Sequence, residues 1–388
     1  MIRLGLLLLG ISLVSGCGTT SAIAEYLKGD SDNAEPPAEL VEFRTRLNVI
    51  KLWSKNIGSG TDKQYLKLSP VIFNQRLYIA DADGTVEALD ATNGKKVWST
   101  DVDAEITGGT GFGENSVLVG TSEARTISLS AEDGSIQWRK TVSSEILSAP
   151  QKARNTVVVR TGDGKIFGLN GDNGRRLWIY DRTVPSLTLR GTSAPLVEGD
   201  LVVAGFDGGR MAALEVRTGK LIWEAPVATA RGSNDMERMV DIDSSPKILD
   251  GVIYIATFQG HLSAMQAETG RVLWDRDISS YAGFDVDDKN LYVTGEKSHI
   301  SAFDRFTSTE LWKQDKLHLR GMTAPASIGD YIVAGDFEGY LHWMSKSSGK
   351  FVARTELCDE RIISPPIVVG KILYGFCSDG SLTAYTYR

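Results

Sequence analysis

Asp83-Gly84-Thr85-Val86-Glu87-Ala88-Leu89-Asp90-Ala91-Thr92-Asn93-Gly94-Lys95-Lys96-Val97-Trp98 is the stretch on which the fold turns. It holds a turn dipeptide, an alternating run, a second turn and a tryptophan, which reads as two short strands joined by a glycine hairpin. The unit recurs, with its first turn position at 84, 124, 164, 209, 260, 298, 339 and 380. In the first seven copies the second turn position follows ten residues later. Four residues beyond it stand Trp98, Trp138, Trp178, Trp223, Trp274 and Trp312, and in the seventh copy Ala353. Six copies carry a proline fourteen residues before the first turn: Pro70, Pro150, Pro195, Pro246, Pro325 and Pro366. Fixed spacing with freely varying side chains is the mark of a fixed backbone geometry.

Upstream of each first turn lie β-branched runs such as Leu77-Tyr78-Ile79-Ala80, Val157-Val158-Val159 and Val252-Ile253-Tyr254-Ile255. Each unit therefore makes about four short antiparallel strands, and a repeat period of 38 to 51 residues predicts an all-β propeller. The last unit stops at Arg388 without an outer strand, while Trp53 in Val49-Ile50-Lys51-Leu52-Trp53 has no inner strands before it. The two fragments complete each other. The expectation is an eight-bladed propeller of four-stranded antiparallel blades, closed by an amino-terminal strand joining the carboxyl-terminal blade, which also removes exposed sheet edges. Three departures stand out: Glu123-Ala124 and Lys297-Ser298 at first turns, and Ala353 for tryptophan. They weaken local packing and leave the count intact.

At the amino end, Met1-Ile2-Arg3 is followed by an apolar run from Leu4 to Val14, the layout of a secretory signal and too short to span a bilayer. It ends in Val14-Ser15-Gly16-Cys17, which resembles a bacterial lipobox and implies cleavage before Cys17 and its lipidation. Gly18 is not the aspartate that holds such proteins at the inner membrane, so the expected address is the periplasmic face of the outer membrane. The expected organisation is a signal peptide over 1–16, a lipidated tether over 17–46 and the propeller over 47–388. Apart from Cys17 the cysteines are Cys358 and Cys377, nineteen apart, at no zinc or CxxC spacing. A local disulfide and two buried thiols both remain open.

A net charge of -7 and a pI near 5.3 argue against nucleic acid as a partner, since phosphate binding needs a basic face. His261, His299, His318 and His342 sit in different units without metal-ligand spacing, and no phosphate-cradling loop is present. No catalytic, cofactor-binding or metal-ligating residue is expected.

The run Ala88-Leu89-Asp90-Ala91-Thr92-Asn93-Gly94-Lys95-Lys96-Val97-Trp98 resembles the tryptophan-docking repeat of pyrroloquinoline quinone (PQQ) dehydrogenases. That resemblance raises a periplasmic PQQ-dependent enzyme as the alternative reading. Those enzymes set two sequence-adjacent cysteines against the quinone, and no two cysteines are neighbours here. Taken together, lipobox, linker and eight PQQ-like blades resemble the BamB family, lipoprotein subunits of the outer-membrane β-barrel assembly machinery. The resemblance covers the whole chain, and its specific pieces are Pro185 to Pro195, Arg238 to Pro246 and Gly335 to Trp343. It implies a non-catalytic scaffold that docks on the periplasmic POTRA domains of the barrel subunit BamA. By the first two pieces it places the contacts at Leu187, Leu189, Arg190, Asp241 and Asp243. Exposed strand edges suggest a second partner, nascent outer-membrane proteins received by β-augmentation.

Loop lengths point to the same region without the family. From the tryptophan position to the next inner-strand position most connections take 10 to 13 residues, but 178 to 195 takes 17 and 223 to 246 takes 23. Adjacent long loops on one rim form a raised patch, and function concentrates on such loops. The connection from 53 to 70 is also 17 long, so length alone does not decide. Leu187 and Leu189 beside Arg190 suit an interface anchor, against a plainer role as minor core. Asp241 and Asp243 fall on one side of an extended segment, facing a cationic partner or capping their own turns.

Overall fold

The structure, a computed structural model, describes residues 35–182, 193–206, 208–228, 242, 244–258 and 260–388. Among them, thirty-two strands form eight four-stranded sheets, every neighbouring pair antiparallel. Blade one runs from the channel outward through Val71–Phe73, Arg76–Ala80, Thr85–Asp90 and Lys96–Asp101. Blades two to seven repeat that order. Blade eight takes Ile367–Val369, Ile372–Phe376 and Ser381–Tyr387 from the carboxyl end and its outermost strand, Val49–Asn56, from the amino end. That last pair runs from Val49 opposite Tyr387 to Asn56 opposite Ser381. The eight-bladed ring and its closure are as the repeat predicts.

The prolines explain the inner strands. Pro has no N–H to give to a ladder, so it marks where a strand begins. Where it is present, the inner strand starts on the next residue and is three long, as at Val71–Phe73 and Gln151–Ala153. Blades two and six have Thr110 and Phe284 at this place, and their inner strands run through it, over Ile106–Gly113 and Gly283–Val286.

Each tryptophan binds two blades. Within its own sheet the indole faces a small residue on the third strand: Ala88 opposite Trp98, Ser128 opposite Trp138, Gly168 opposite Trp178, Ala384 opposite Trp53. Across the seam it lies on the second turn of the next blade and donates Nε1–H to a carbonyl there, at 2.7 to 3.2 Å in all seven cases from Trp53–Ala91 to Trp312–Lys346. A Cβ on Gly94, Gly134, Gly174, Gly219, Gly270 or Gly349 would come within 2.4 to 2.7 Å of the indole, and all six have φ between 66° and 75°. Steric contact and left-handed backbone thus select glycine together. The turn of blade six has Ser308, which keeps the geometry at φ 56°. Ala124 and Ser298 likewise keep φ 61° and 66° at their first turns.

The seam between blades seven and eight is built differently. The second turn lies between third and fourth strands, and in blade eight those strands come from opposite ends of the chain, so no hairpin is there to receive an indole. Ala353 occupies the tryptophan position, and its cross-strand partner is Trp343, fully buried. The large and small residues have exchanged strands. Trp343 donates to Thr355 Oγ1 at 3.2 Å and meets Tyr387 at 6.2 Å between rings, while Leu47 closes over the same cluster. Cys358, leaving blade seven, is disulfide-bonded to Cys377, just past the second strand of blade eight. The structure thus settles the open question about the two cysteines.

The compact unit runs from Pro37 to Arg388. Part of the segment expected as tether, from Ala38 to Arg46, lies along the outside of blade seven. Ala38 N donates to His318 O at 2.9 Å, and Arg320 Nη1 donates to Ala38 O at 3.0 Å. Further on, Arg354 Nη2 donates to Val41 O at 3.1 Å, Phe43 stacks on Phe351 at 5.3 Å, and the Arg46 amide donates to Val352 O at 2.8 Å. Arg320 is itself held by both Nε and Nη2 on the fully buried Asp336 carboxylate, at 2.9 and 2.7 Å. His342 joins the same carboxylate at 2.9 Å. Burial pushes the His342 imidazole below its ordinary pKa and outweighs the bonded Asp336 carboxylate, which pulls it up.

Candidate functional site: the roots of two long connections

In an antiparallel meander, the turn joining second and third strands opens on the same face as the connections between blades, and the other two turns open opposite. The described ends of the two long connections, from Trp178 to Pro195 and from Trp223 to Pro246, therefore lie on the connection face, at either side of blade four. Leu187, Leu189, Arg190, Asp241 and Asp243 lie outside the described residues, as does Cys17. What the structure does describe is how the ends of both connections are held.

The outgoing end of the first connection is fastened to blade four at one carboxylate. Glu224, on the outermost strand Leu221–Pro226 of blade four, accepts from Arg210 Nε at 2.7 Å and from Arg182 Nη1 through the same oxygen. Arg182 directly follows Tyr180 and Asp181 at the end of blade three, and its guanidinium lies 5.8 Å over the Phe206 ring. Tyr180 packs on the same ring at 5.8 Å and donates to Glu224 Oε2 at 3.4 Å. Partial burial pushes the Glu224 carboxyl up, but the Arg210 and Arg182 guanidiniums outweigh it and hold the group below the usual range. It is ionised at neutral pH.

The incoming ends are joined by neutral hydrogen bonds. Ser193 Oγ donates to Ser244 O at 3.2 Å, and the Ala194 amide donates to Ser245 Oγ at 3.0 Å. Arg160 Nη1 adds a bond to Ser193 O at 3.2 Å, and Ser244 Oγ donates to Ala256 O at 2.6 Å. Between the two sets Ile242 is fully buried against the backbone of Gly205. Sequence reasoning picked out the two connections but not these residues. Glu224 sits just after a tryptophan, where other blades have Ser54, Ser99, Arg139, Ile179, Asp275 and Lys313, so no repeat signal marks it.

The central channel is the cavity of the ring where a cofactor would have to sit. Its described lining is mostly Pro, Ser and Ala from the inner strands and the connections feeding them, around a volume of about 660 Å³. Lys247 and Asp285, on the inner strands of neighbouring blades five and six, make an ion pair at its lining at 2.5 Å, and the Ser327 amide donates to Asp285 at 2.7 Å. Burial pushes the Asp285 carboxyl up, while Lys247 and that amide more than offset it and leave it low. Among the described residues, one cluster of three metal-ligating side chains exists, Cys358, Cys377 and Asp379, and its two sulfurs are joined to each other.

Eight four-stranded blades of this repeat, seven of their seams docked by a tryptophan, define a PQQ-like propeller, and comparison with known proteins narrows the class. The family model described as outer membrane protein assembly factor BamB matches residues 82–314 and, again, 296–388. The outer membrane protein assembly factor BamB of Pseudomonas aeruginosa is 44% identical over 370 residues, covering 95% of this chain and 97% of its own. That of Kangiella koreensis is 46% identical over 336 residues, 87% of each chain. The crystal structure of BamB from Moraxella catarrhalis superposes with a TM-score of 0.80 at 27% identity, over 87% of this chain and 99% of that one. The chain belongs to the BamB family of outer membrane protein assembly factors. A quinohemoprotein alcohol dehydrogenase from Pseudomonas putida shares the fold, with a TM-score of 0.68 at 12% identity over 87% of this chain and 76% of its own.

Proposed function

We propose that the protein is a non-catalytic scaffold of the outer-membrane β-barrel assembly machinery, anchored by a lipid on Cys17 at the periplasmic face of the outer membrane. It docks on the POTRA domains of BamA through Leu187, Leu189 and Arg190 of the first long connection and Asp241 and Asp243 of the second. Family membership supports the setting. The observation that supports the docking surface is that the described roots of the two connections are fastened at blade four, Arg182 to Glu224 of its outermost strand and Ser193 to Ser244, which brings the roots together on a rigid ring.

A second partner is a nascent outer-membrane protein. The outermost strands of blades three, four and five have an open edge and expose Leu177, Ile179, Leu221, Ile222, Val272 and Leu273. An extended apolar segment fits such an edge by backbone pairing.

The test is a Leu187→Ala/Arg190→Ala double substitution. Copurification with BamA is expected to be lost while circular dichroism shows an intact propeller. Undiminished copurification would refute the surface.

A further inference from the structure

We propose that Glu224 is a positioning residue for the partner surface: by fastening the outgoing end of the first long connection to blade four, its carboxylate holds that end beside the root of the second connection without touching the partner. The inference rests on the reading of those connections as the docking surface.

The geometry carries it. Arg182 is the last described residue where the first connection leaves blade three, and Glu224 lies four residues before Ala228, the last described residue where the second leaves blade four. A single oxygen of Glu224 takes both Arg182 and Arg210. Arg210 stands on the third strand of blade four, opposite Pro226 on the outermost strand, so one of the two cations belongs to the rigid sheet. The other belongs to the departing chain. Glu224 therefore ties a connection of one blade to the framework of the next. The Arg182 side chain is about three-quarters buried and that of Glu224 similarly, which shelters the pair from screening salt. Phe206 completes the seat, with Arg182 over its ring and Tyr180 against it.

Removing the carboxylate changes more than one bond. Arg182 and Arg210 would be left as neighbouring like charges, which drives the first connection away from blade four. The incoming ends would still be held by Ser193 and Ser245, so the first connection would be fixed at one end only, while the second keeps the Val227 and Ala228 amides on Gly209 O. A surface ordered before binding avoids an entropic cost that a half-fastened one incurs on association. Glu224→Gln keeps an acceptor oxygen and the volume but not the charge, so its effect should fall between that of the native residue and that of Glu224→Ala.

The experiment compares native protein, Glu224→Gln, Glu224→Ala and the Leu187→Ala/Arg190→Ala double variant, each as the full chain. Affinity for purified BamA is read beside amide hydrogen exchange over 183–192, 229–241 and the blade strands. Glu224→Ala is expected to weaken BamA binding by about tenfold, the scale of one charge-assisted bond. It should also speed exchange in the first connection, over 183–192, more than in the second while leaving the strands as in the native protein, with Glu224→Gln intermediate in both affinity and exchange. If Glu224→Ala binds like the native protein while the double variant does not bind, the positioning role is overturned and the docking surface stands. If the double variant also binds like the native protein, the docking surface itself falls, and the inference with it. Exchange that rises equally in the strands would show a general stabilising role and overturn the proposal.

Discussion

At the seam between blades three and four, Trp178 lies on the hairpin glycine Gly219 and donates to Val216 O at 2.9 Å. At the seam between blades seven and eight, Ala353 stands in the indole's place, and the tryptophan has moved across the sheet to position 343. The first seam is one of seven built alike, each needing a turn that comes from a continuous chain. The last has no such turn, because its outer strand arrives from the far end of the polypeptide. Connectivity, then, decides which seam can be docked. The closing seam is held instead by a buried indole, a disulfide and an amino-terminal strap.

This contrast can be broken where it is largest. Trp343→Ala empties a fully buried site, and truncation of a buried tryptophan costs about 3–5 kcal/mol, which urea denaturation of the variant should show. The exchange variant Trp343→Ala/Ala353→Trp is expected to regain only part of that loss, since its new indole meets no hairpin. Complete recovery would mean that the docking turn contributes nothing.

The disulfide comes next. Closing a loop of 19 residues corresponds to about 3 kcal/mol in the chain-entropy treatment. Replacing Cys358 and Cys377 with serine should lower stability by about that amount, and amide exchange should rise first in blade eight. A uniform rise around the ring would contradict a local fastening. The smallest effect sharpens the comparison among the docked seams. Ser308 is the non-glycine residue at a docking turn, and Ser308→Gly should stabilise by about 0.5–1 kcal/mol through relief of its left-handed backbone, measured as a raised thermal midpoint.

Most of the ring was legible in the residues because its signals are periodic. Turn positions ten apart, prolines fourteen upstream and a tryptophan four downstream recur often enough to count blades, and the orphaned Trp53 marked the closure. Contacts made once were not legible. The Ala353 departure reads from sequence as a loss of packing, and the structure shows its compensation at Trp343, whose pairing depends on strand register. Neither could spacing decide between thiols and a disulfide at Cys358 and Cys377, because their approach depends on how two blades meet. The same holds for the site. Long connections can be counted, so 178 to 195 and 223 to 246 stood out, while Arg182, Arg210 and Glu224 come together from two blades and no repeat position announces them.

The strap along blade seven has a mechanical consequence. A pull on the chain upstream of Ala38 does not reach the ring-closing strand Val49–Asn56 directly. It is met first by Arg320 and Arg354 gripping the carbonyls of Ala38 and Val41, and by the Phe43–Phe351 stack. Tension on the leader is thus shed into the body of a neighbouring sheet, much as a cable clamp spares the joint behind it, and the ladder that keeps the toroid shut stays unloaded.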